Sequence, residues 1–596
     1  MGWLIENGVN PSQILLLTFT RKAAQEMLTR VEELLGDQSI SNVLGGTFHS
    51  FANMALRQYA GLTGILSNFS IIDPQDAADI IDLLRNEFKI SGKKQGRPFP
   101  QKGTVYEIIS KSKNLETTIE QTISKYFDEL TGFIPEIEKL HRALAAYKKA
   151  ANLMDYDDLI IVFRDKLREN SIFREKLQER IKYVLVDEYQ DTNNIQRDIV
   201  ELLCSGKKNV TVVGDDAQSI YSFRGANFEN ILRFPHAFPQ CGVIKIEENY
   251  RSGQEILHFT NGIIEHARIG FRKALFSTSS KGKKPVVQRF ADGVEEAEFI
   301  VDKMVELRNN DLDYGDFAVL TRASWQNNYV QTALMKRQIP FVVVGGIKFS
   351  ERRHVKDIIA LLKLVVNPLD AVAWHRVLQL IEGIGKVRAS EIVSGIHQKA
   401  GQIEFSSFRG RKYYDDLKKI EDLFASLRAS ALTPLQMLDK IYPFYLPLLK
   451  KAEDDFEVRI KDLEIFKTVA GKYSDVEKFV TEFTLEPPSN RYQDQNTPLV
   501  NSDEKPVTVS TIHSAKGLEW HTVFIPFALD GLIPSVRSMQ NLQELEEERR
   551  LFYVACTRSK ENLYISMPAY HASWDAHFTR PSRFLAEVDE ERFERG

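Results

Sequence analysis

The stretch Tyr183-Val184-Leu185-Val186-Asp187-Glu188-Tyr189-Gln190-Asp191-Thr192 decides how the rest of the chain is read. A short apolar run followed at once by two carboxylates describes a buried parallel strand with acids at its carboxyl end, which is where α/β folds bind ligands. One carboxylate there can hold Mg²⁺, usually through water, and its neighbour can orient and deprotonate an attacking water. An acidic pair alone would read as a surface turn. The full hexapeptide Asp187–Thr192 behind such a strand points to chemistry instead.

Working outward, the same pattern recurs at Ile14–Thr18, ahead of a helical stretch from Arg21 to Leu35, and again at Val210–Val213 and Gly242–Ile246. Each run is short, apolar and followed by polar residues, as expected of strands in a parallel sheet. Further strands are expected at Phe317–Thr321, Phe341–Val344, Val507–Ser510 and Thr522–Pro526. Residues 74–178 and 371–500 read as helical blocks that interrupt two α/β segments. The run Ser91-Gly92-Lys93-Lys94-Gln95-Gly96-Arg97-Pro98 reads as an exposed basic turn, either simply solvated or in contact with duplex DNA.

A chain of 596 residues is too long for one core, and 43% hydrophobic with 27% charged residues is ordinary for a globular protein. No run of about 18 apolar residues occurs, and the start Met1-Gly2-Trp3-Leu4-Ile5-Glu6-Asn7 has no basic region and apolar core like those of a signal peptide. Cys204, Cys241 and Cys556 lack metal-ligand spacing, which argues against a disulfide framework, zinc or iron–sulfur and for a reducing, cytoplasmic setting. The formal charge of −4 confines any nucleic-acid contact to a local cleft.

Two more segments carry chemistry. In Val213-Gly214-Asp215-Asp216-Ala217-Gln218-Ser219-Ile220-Tyr221-Ser222-Phe223-Arg224-Gly225-Ala226, a glutamine after a strand can sense a γ-phosphate, and the aromatics can stack on bases. Glu248-Asn249-Tyr250-Arg251-Ser252 adds an aromatic and a guanidinium suited to charge developing in phosphoryl transfer.

With the hexapeptide at 187–192, these segments resemble motifs II, III and IV of superfamily 1 DNA helicases of the UvrD/Rep/PcrA type. Leu17–Ala24 resembles motif Ia, Gly46–Ser50 motif Ib, Val509–Glu519 motif V and Glu547–Arg558 motif VI. The likeness covers nearly the whole chain. It implies an α/β fold with two RecA-like parallel-sheet motor lobes of the P-loop NTPase type, each with a mostly α-helical inserted subdomain. The first lobe would be 1–73 and 179–240 with insertion 74–178; the second would be 241–370 and 501–596 with insertion 371–500. The implied activity is ATP-dependent 3′–5′ translocation on single-stranded DNA and unwinding, with ATP and Mg²⁺ as cofactors. Single-stranded and duplex DNA are the implied partners, together with a repair or replication loading factor, and the chain would act as a monomer or weak dimer.

Carried over by position, the resemblance makes Asp187 the Mg²⁺ ligand and Glu188 the catalytic base. It puts Gln218 on the γ-phosphate and makes Arg251 and Arg558 arginine fingers. Tyr250 would stack on adenine, while Gly517 and Glu519 would line the nucleotide site. Phe19, Thr20, Lys22, Thr47, His49, Tyr221, Phe223, Arg224 and His513 would follow single-stranded DNA. Gly383-Ile384-Gly385-Lys386 is similar to a glycine-turn phosphate clamp for duplex DNA and equally to a plain helix–helix turn. Phe223, Arg21 and Ser222 stand where the family more often carries tryptophan, asparagine and glycine.

One departure matters more. A P-loop, GxxxxGK[ST], holds phosphates on backbone amides and a lysine and holds Mg²⁺ on a hydroxyl. The 596 residues contain none: Gly206-Lys207-Lys208, Gly282-Lys283-Lys284 and Gly385-Lys386-Val387 lack the upstream glycine, the following hydroxyl, or both. In the family this loop lies about one helix before motif Ia, so Gly2–Asn7 is expected to be the remainder of the helix that follows it. A mis-started or partial chain, a truncated remnant and a non-hydrolysing DNA-binding subunit are the alternatives. A helicase–nuclease subunit is disfavoured, because the chain ends soon after Pro581-Ser582-Arg583-Phe584-Leu585.

Overall fold

The computed structural model describes residues 1–36, 42–94, 97–205, 209–271, 273–278, 282–344, 352–429, 431–452, 456–485, 505–570 and 579–596. The chain divides into two compact units. The first comprises Met1–Asp187, Asn193–Val212 and Ile347–Ser489; the second comprises Glu188–Thr192, Val213–Gly346 and Asn490–Gly596.

In the first unit the strands are β1 (Ile14–Thr18), β2 (Leu44–Thr47), β3 (Ser70–Ile71), β4 (Lys93–Lys94), β5 (Arg97–Pro98), β6 (Leu153–Met154), β7 (Tyr183–Val186) and β8 (Val210–Val212). Four of them form a parallel sheet in the order β2-β1-β7-β8. Every residue of β1 is buried, as a central parallel strand requires. The register Thr18↔Thr47 brings the carboxyl ends of β1 and β2 side by side. β4 and β5 form an antiparallel hairpin at the expected basic turn, whose residues 95 and 96 lie outside the described set.

Residues 74–178 carry the helices Pro74–Glu87, Lys102–Asn114, Ile119–Tyr126, Ile134–Ala150 and Tyr156–Glu169, and Ser171–Arg180 follows across the end of that range. The core of this first helical block gathers Ile80, Ile108, Ile123, Ile137 and Leu140, all fully buried. The second block has its own core around Trp374, Leu438 and Phe466, and the helix Arg353–Val366, ahead of residue 371, packs into it.

In the second unit β9 (Val286–Phe290), β10 (Phe317–Thr321), β11 (Phe341–Val344), β12 (Val507–Thr511), β13 (Trp520–Ile525), β14 (Ser559–Pro568) and β15 (Glu594–Arg595) form a parallel sheet ordered β11-β12-β10-β13-β14-β9-β15. The expected strand at Gly242–Ile246 is not one: the segment has no ladder partner among the described residues, and Ile244 and Ile246 are 87% and 77% exposed. Apolar, β-branched composition makes a strand only where a neighbour takes its backbone hydrogen bonds. Among the described residues no helix is long and apolar enough to cross a membrane.

Glu296, on the helix Gly293–Arg308, is 1% exposed and accepts from the Phe527 amide at 3.0 Å. Burial pushes its carboxyl up from 4.5 to about 7, against the pull of the Ser566 hydroxyl and the Phe527 amide. The neutral acid is thus the folded form, and stability is lost as pH rises from about 4.5 through 7. Glu296→Gln keeps the shape without the titration. Denaturant melts at pH 5 and 8.5 should show the variant gaining up to about 3 kcal/mol on wild type over that interval.

Candidate functional site

The site is assembled from turns that follow strands. The Asp187 amide still donates to Leu17 O at 2.9 Å, extending β7 by one residue inside the first unit. Glu188 then takes a left-handed conformation, φ 54°, which turns the chain into the 3₁₀ turn Tyr189–Asp191. For a residue with a Cβ this costs about 1–3 kcal/mol and persists only where the surroundings hold it.

In the second unit those surroundings are visible. Gln190 is fully buried; its Nε2 donates to Glu188 Oε2, and its Oε1 accepts from the Asp215 amide at 3.0 Å. Its carbonyl accepts from Ser219 Oγ at 3.1 Å. Gly214 passes so close that a Cβ would sit 2.3 Å from Gln190 Oε1 and 2.8 Å from Ile231 Cδ1. Only glycine leaves room for the glutamine that ties the two motifs together.

Lys516 is the hub of this arrangement. Its side chain is 7% exposed, and its Nζ donates to Asp191 Oδ2 and to Gln218 O at 2.7 Å. The same Nζ lies 3.5 Å from Glu188 Oε2 and 5.2 Å from the centre of the Tyr221 ring. Asp191 is itself 1% exposed on its side chain. Burial raises its carboxyl to about 7; Lys516 works against the rise and Glu188 adds to it.

Gln218 donates from Nε2 to Asp215 Oδ2 at 2.8 Å and accepts on Oε1 from an Arg558 terminal nitrogen at 3.3 Å. The Arg558 guanidinium is buried, with Nε on Val554 O at 3.1 Å and Nη1 on Leu518 O at 3.3 Å. Burial, reinforced by the nearby Arg251, lowers its pKa to about 10, so it stays charged at neutral pH. Arg251 donates from Nε to Glu519 Oε2 at 2.6 Å, and Lys560 reaches Glu519 Oε1 at 3.0 Å. Burial opposes ionisation of Glu519, but these two cations outweigh it and hold its carboxyl below the usual value. Gly517, φ 82°, turns the chain just before β13. Tyr250 is 82% exposed, with its hydroxyl donating to Glu248 at 2.8 Å.

The expected DNA-following residues fall into two sets. In the second unit Tyr221, Phe223 and His513 form one cluster of rings, with Phe223 edge-on to His513 at 5.3 Å and Tyr221 6.0 Å from Phe223. The Tyr221 hydroxyl donates to His513 O at 3.1 Å. The Arg224 side chain lies outside the described residues. In the first unit Phe19, Thr20 and Lys22 follow β1, while Thr47 and His49 follow β2. Thr20 and Thr47 cap the next helices by accepting from Ala23 N and Ser50 N. His49 packs edge-on to Tyr156 at 6.1 Å, and burial lowers its pKa to about 4, leaving a neutral imidazole at pH 7. Lys386 of the glycine turn pairs with Asp82 at 3.0 Å.

Sequence reasoning assigned no role to Gln190, Asp191, Lys516, Glu547 or Arg550. All five stand inside the quoted motifs, so position was the available signal. Glu547 accepts from the Ser222 amide at 2.9 Å, and Arg550 donates from Nε to Ser219 O at 2.8 Å, so the helix Leu542–Cys556 holds the segment after Gln218 at two points.

Glu188 and Asp191 after a strand, the Gln218 amide, the Arg251 and Arg558 guanidiniums and a ring cluster that shares the Lys516 ammonium with the two carboxylates are groups of the kinds that phosphoryl-transfer sites use. Residues 1–239 match the UvrD/REP helicase N-terminal domain, and residues 244–570 match the UvrD-like helicase C-terminal domain. The chain belongs to the UvrD/REP helicase family. It is 32% identical to the ATP-dependent DNA helicase PcrA of Leuconostoc citreum over 98% of this chain and 80% of that protein. With the PcrA of Staphylococcus aureus it shares 31% over 99% and 82%, and with that of Staphylococcus epidermidis 31% over 99% and 81%. The two parallel sheets are accordingly those of two RecA-like motor lobes.

Removing the Lys516 ammonium leaves buried carboxylate charge uncompensated. Lys516→Met should destabilise the protein by about 3 kcal/mol at pH 8.5 in a denaturant melt. Below about pH 7 Asp191 takes up a proton, so the loss should be clearly smaller at pH 6. An equal loss at both values would contradict this pairing.

Proposed function

We propose that this protein is a DNA translocase and helicase driven by ATP, moving 3′ to 5′ on single-stranded DNA. The observation that carries the reading is the shared ammonium: Lys516 contacts the Asp191 and Glu188 carboxylates while lying under Tyr221, a member of the ring cluster. Groups that face nucleotide and groups that face bases thereby meet at one side chain.

The donor set suits phosphate and magnesium. Asp187 would hold Mg²⁺, which supplies charge neutralisation for the transferring phosphoryl group. Glu188 would orient the attacking water and take its proton, while Gln218, Arg251 and Arg558 would face the γ-phosphate. Tyr250, Gly517 and Glu519 would line the nucleoside side. Phe19, Thr20, Lys22, Thr47, His49, Tyr221, Phe223, Arg224 and His513 would follow the strand, with duplex DNA ahead of it. The four sequence segments would act as two motor lobes with two helical accessories, as a monomer or weak dimer recruited by a repair or replication loading factor.

A second reading, a DNA-binding subunit without turnover, rests on the ring cluster of Tyr221, Phe223 and His513 alone. One assay separates the two. ATP hydrolysis that rises with single-stranded DNA and disappears in Glu188→Gln supports the motor. Absence of turnover, with DNA affinity that falls steeply as salt rises, supports the binding subunit. Under either reading Phe223→Ala should weaken single-stranded DNA binding by about 1–3 kcal/mol in a fluorescence titration.

A further inference from the structure

Lys273 lies outside every motif read from the sequence, yet its ammonium donates to both carboxylates that precede Gln218: to Asp215 Oδ1 and to Asp216 Oδ1 at 3.3 Å. We infer that Lys273 is a positioning residue that, through Asp215, holds the Gln218 amide in the one orientation useful for phosphate recognition. The inference rests on the reading of Gln218 as a phosphate-facing group.

The orientation of Gln218 follows from its two neighbours. An ionised carboxylate only accepts hydrogen bonds and a guanidinium only donates them. Asp215 Oδ2 at 2.8 Å must therefore meet Nε2, and Arg558 at 3.3 Å must meet Oε1. A flipped amide would place oxygen against oxygen at one end and N–H against N–H at the other. This holds only while Asp215 keeps its own place. Its Oδ1 is fixed by the Ala217 amide at 2.9 Å and by Lys273, whose side chain is 14% exposed. Asp215 and Asp216 are adjacent like charges, and the Lys273 ammonium that both accept offsets their repulsion.

Described residues on both sides of Lys273 are themselves held. The Arg268 amide donates to Glu546 at 3.2 Å, the Ala274 amide to Glu247 at 3.1 Å and the Leu275 amide to Asn261 at 3.1 Å. The Phe271 amide caps Asp216 Oδ2 at 2.9 Å, beside Gly270 at φ 143°, where a Cβ would lie 2.4 Å from that oxygen. The lysine thus stands between anchored residues, and its contact is built rather than incidental.

The test uses the full chain with Lys273→Met, Lys273→Arg, Gln218→Ala and the Lys273→Met/Gln218→Ala double variant. Without nucleotide, denaturant midpoints should show the double variant shifted by less than the sum of the single shifts, as residues in one network do. In DNA-stimulated ATP turnover, Lys273→Met should lower kcat about tenfold or more with KM for ATP changed less than about threefold, and Lys273→Arg should recover most of it. Additive midpoint shifts, or a Lys273→Met kcat equal to that of wild type, overturn the inference. If wild type turns over no ATP, the motor reading of this chain fails, and the midpoint cycle alone decides the role of Lys273.

Discussion

The ammonium of Lys516 is the contact on which the site depends. It is nearly sealed from water and is shared among Asp191, Glu188, the Gln218 carbonyl and the face of Tyr221. The buried Asp191 carboxylate, repelled by the Glu188 charge, is costly to ionise; the Lys516 ammonium offsets part of that cost, and its removal would leave charge stranded. Because the four attachments come from two separate stretches of chain and the lysine from a third, none of the stretches can take its final shape alone.

Hydrogen bonds around that cation extend the same logic. Gln190 links the left-handed turn at Glu188 to Asp215, and Gly214 gives it the room. The helix Leu542–Cys556 buries Glu546, Glu548, Arg549 and Arg550, an unusual load of polar side chains for a core position. Each finds a partner: Glu546 the Arg268 amide, Glu548 the Arg322 guanidinium, Arg549 the Glu587 carboxylate and Arg550 the Ser219 carbonyl. Buried polar groups matched in this way specify one packing where apolar surfaces would accept several.

The first unit uses buried charge for a different end. Lys363 donates to Asp76 at 3.2 Å and Lys356 lies 2.7 Å from Asp73, tying the helix Arg353–Val366 to the start of the helix Pro74–Glu87. Arg57 reaches the carbonyls of Ser67 and Phe69, the Glu477 carboxylate and the Thr481 hydroxyl, with its guanidinium over the Phe69 ring at 4.1 Å. The lysines join the helix Arg353–Val366 to the first helical block, and Arg57 joins the second block to the helix that follows β2, where Thr47 and His49 sit.

The sequence by itself determined the fold class, the family and the order of the motifs, because short apolar runs followed by polar turns are local patterns that folding preserves. It placed strands at 14–18, 183–186, 317–321 and 341–344 correctly, and failed at 242–246, where composition favoured a strand but no strand among the described residues pairs with the segment. It named Glu188, Gln218 and Arg558 through resemblance, with no means of seeing what holds them. Only the tertiary structure decided that Gln190 braces Glu188, that Lys516 serves acids and ring at once, and that Lys273 reaches the acids before Gln218. Those ties join residues tens to hundreds of positions apart, or depend on a side chain's burial. A lone lysine in a loop carries no periodicity or spacing that would announce its partner; charge pairing becomes specific only when folding excludes water from around it.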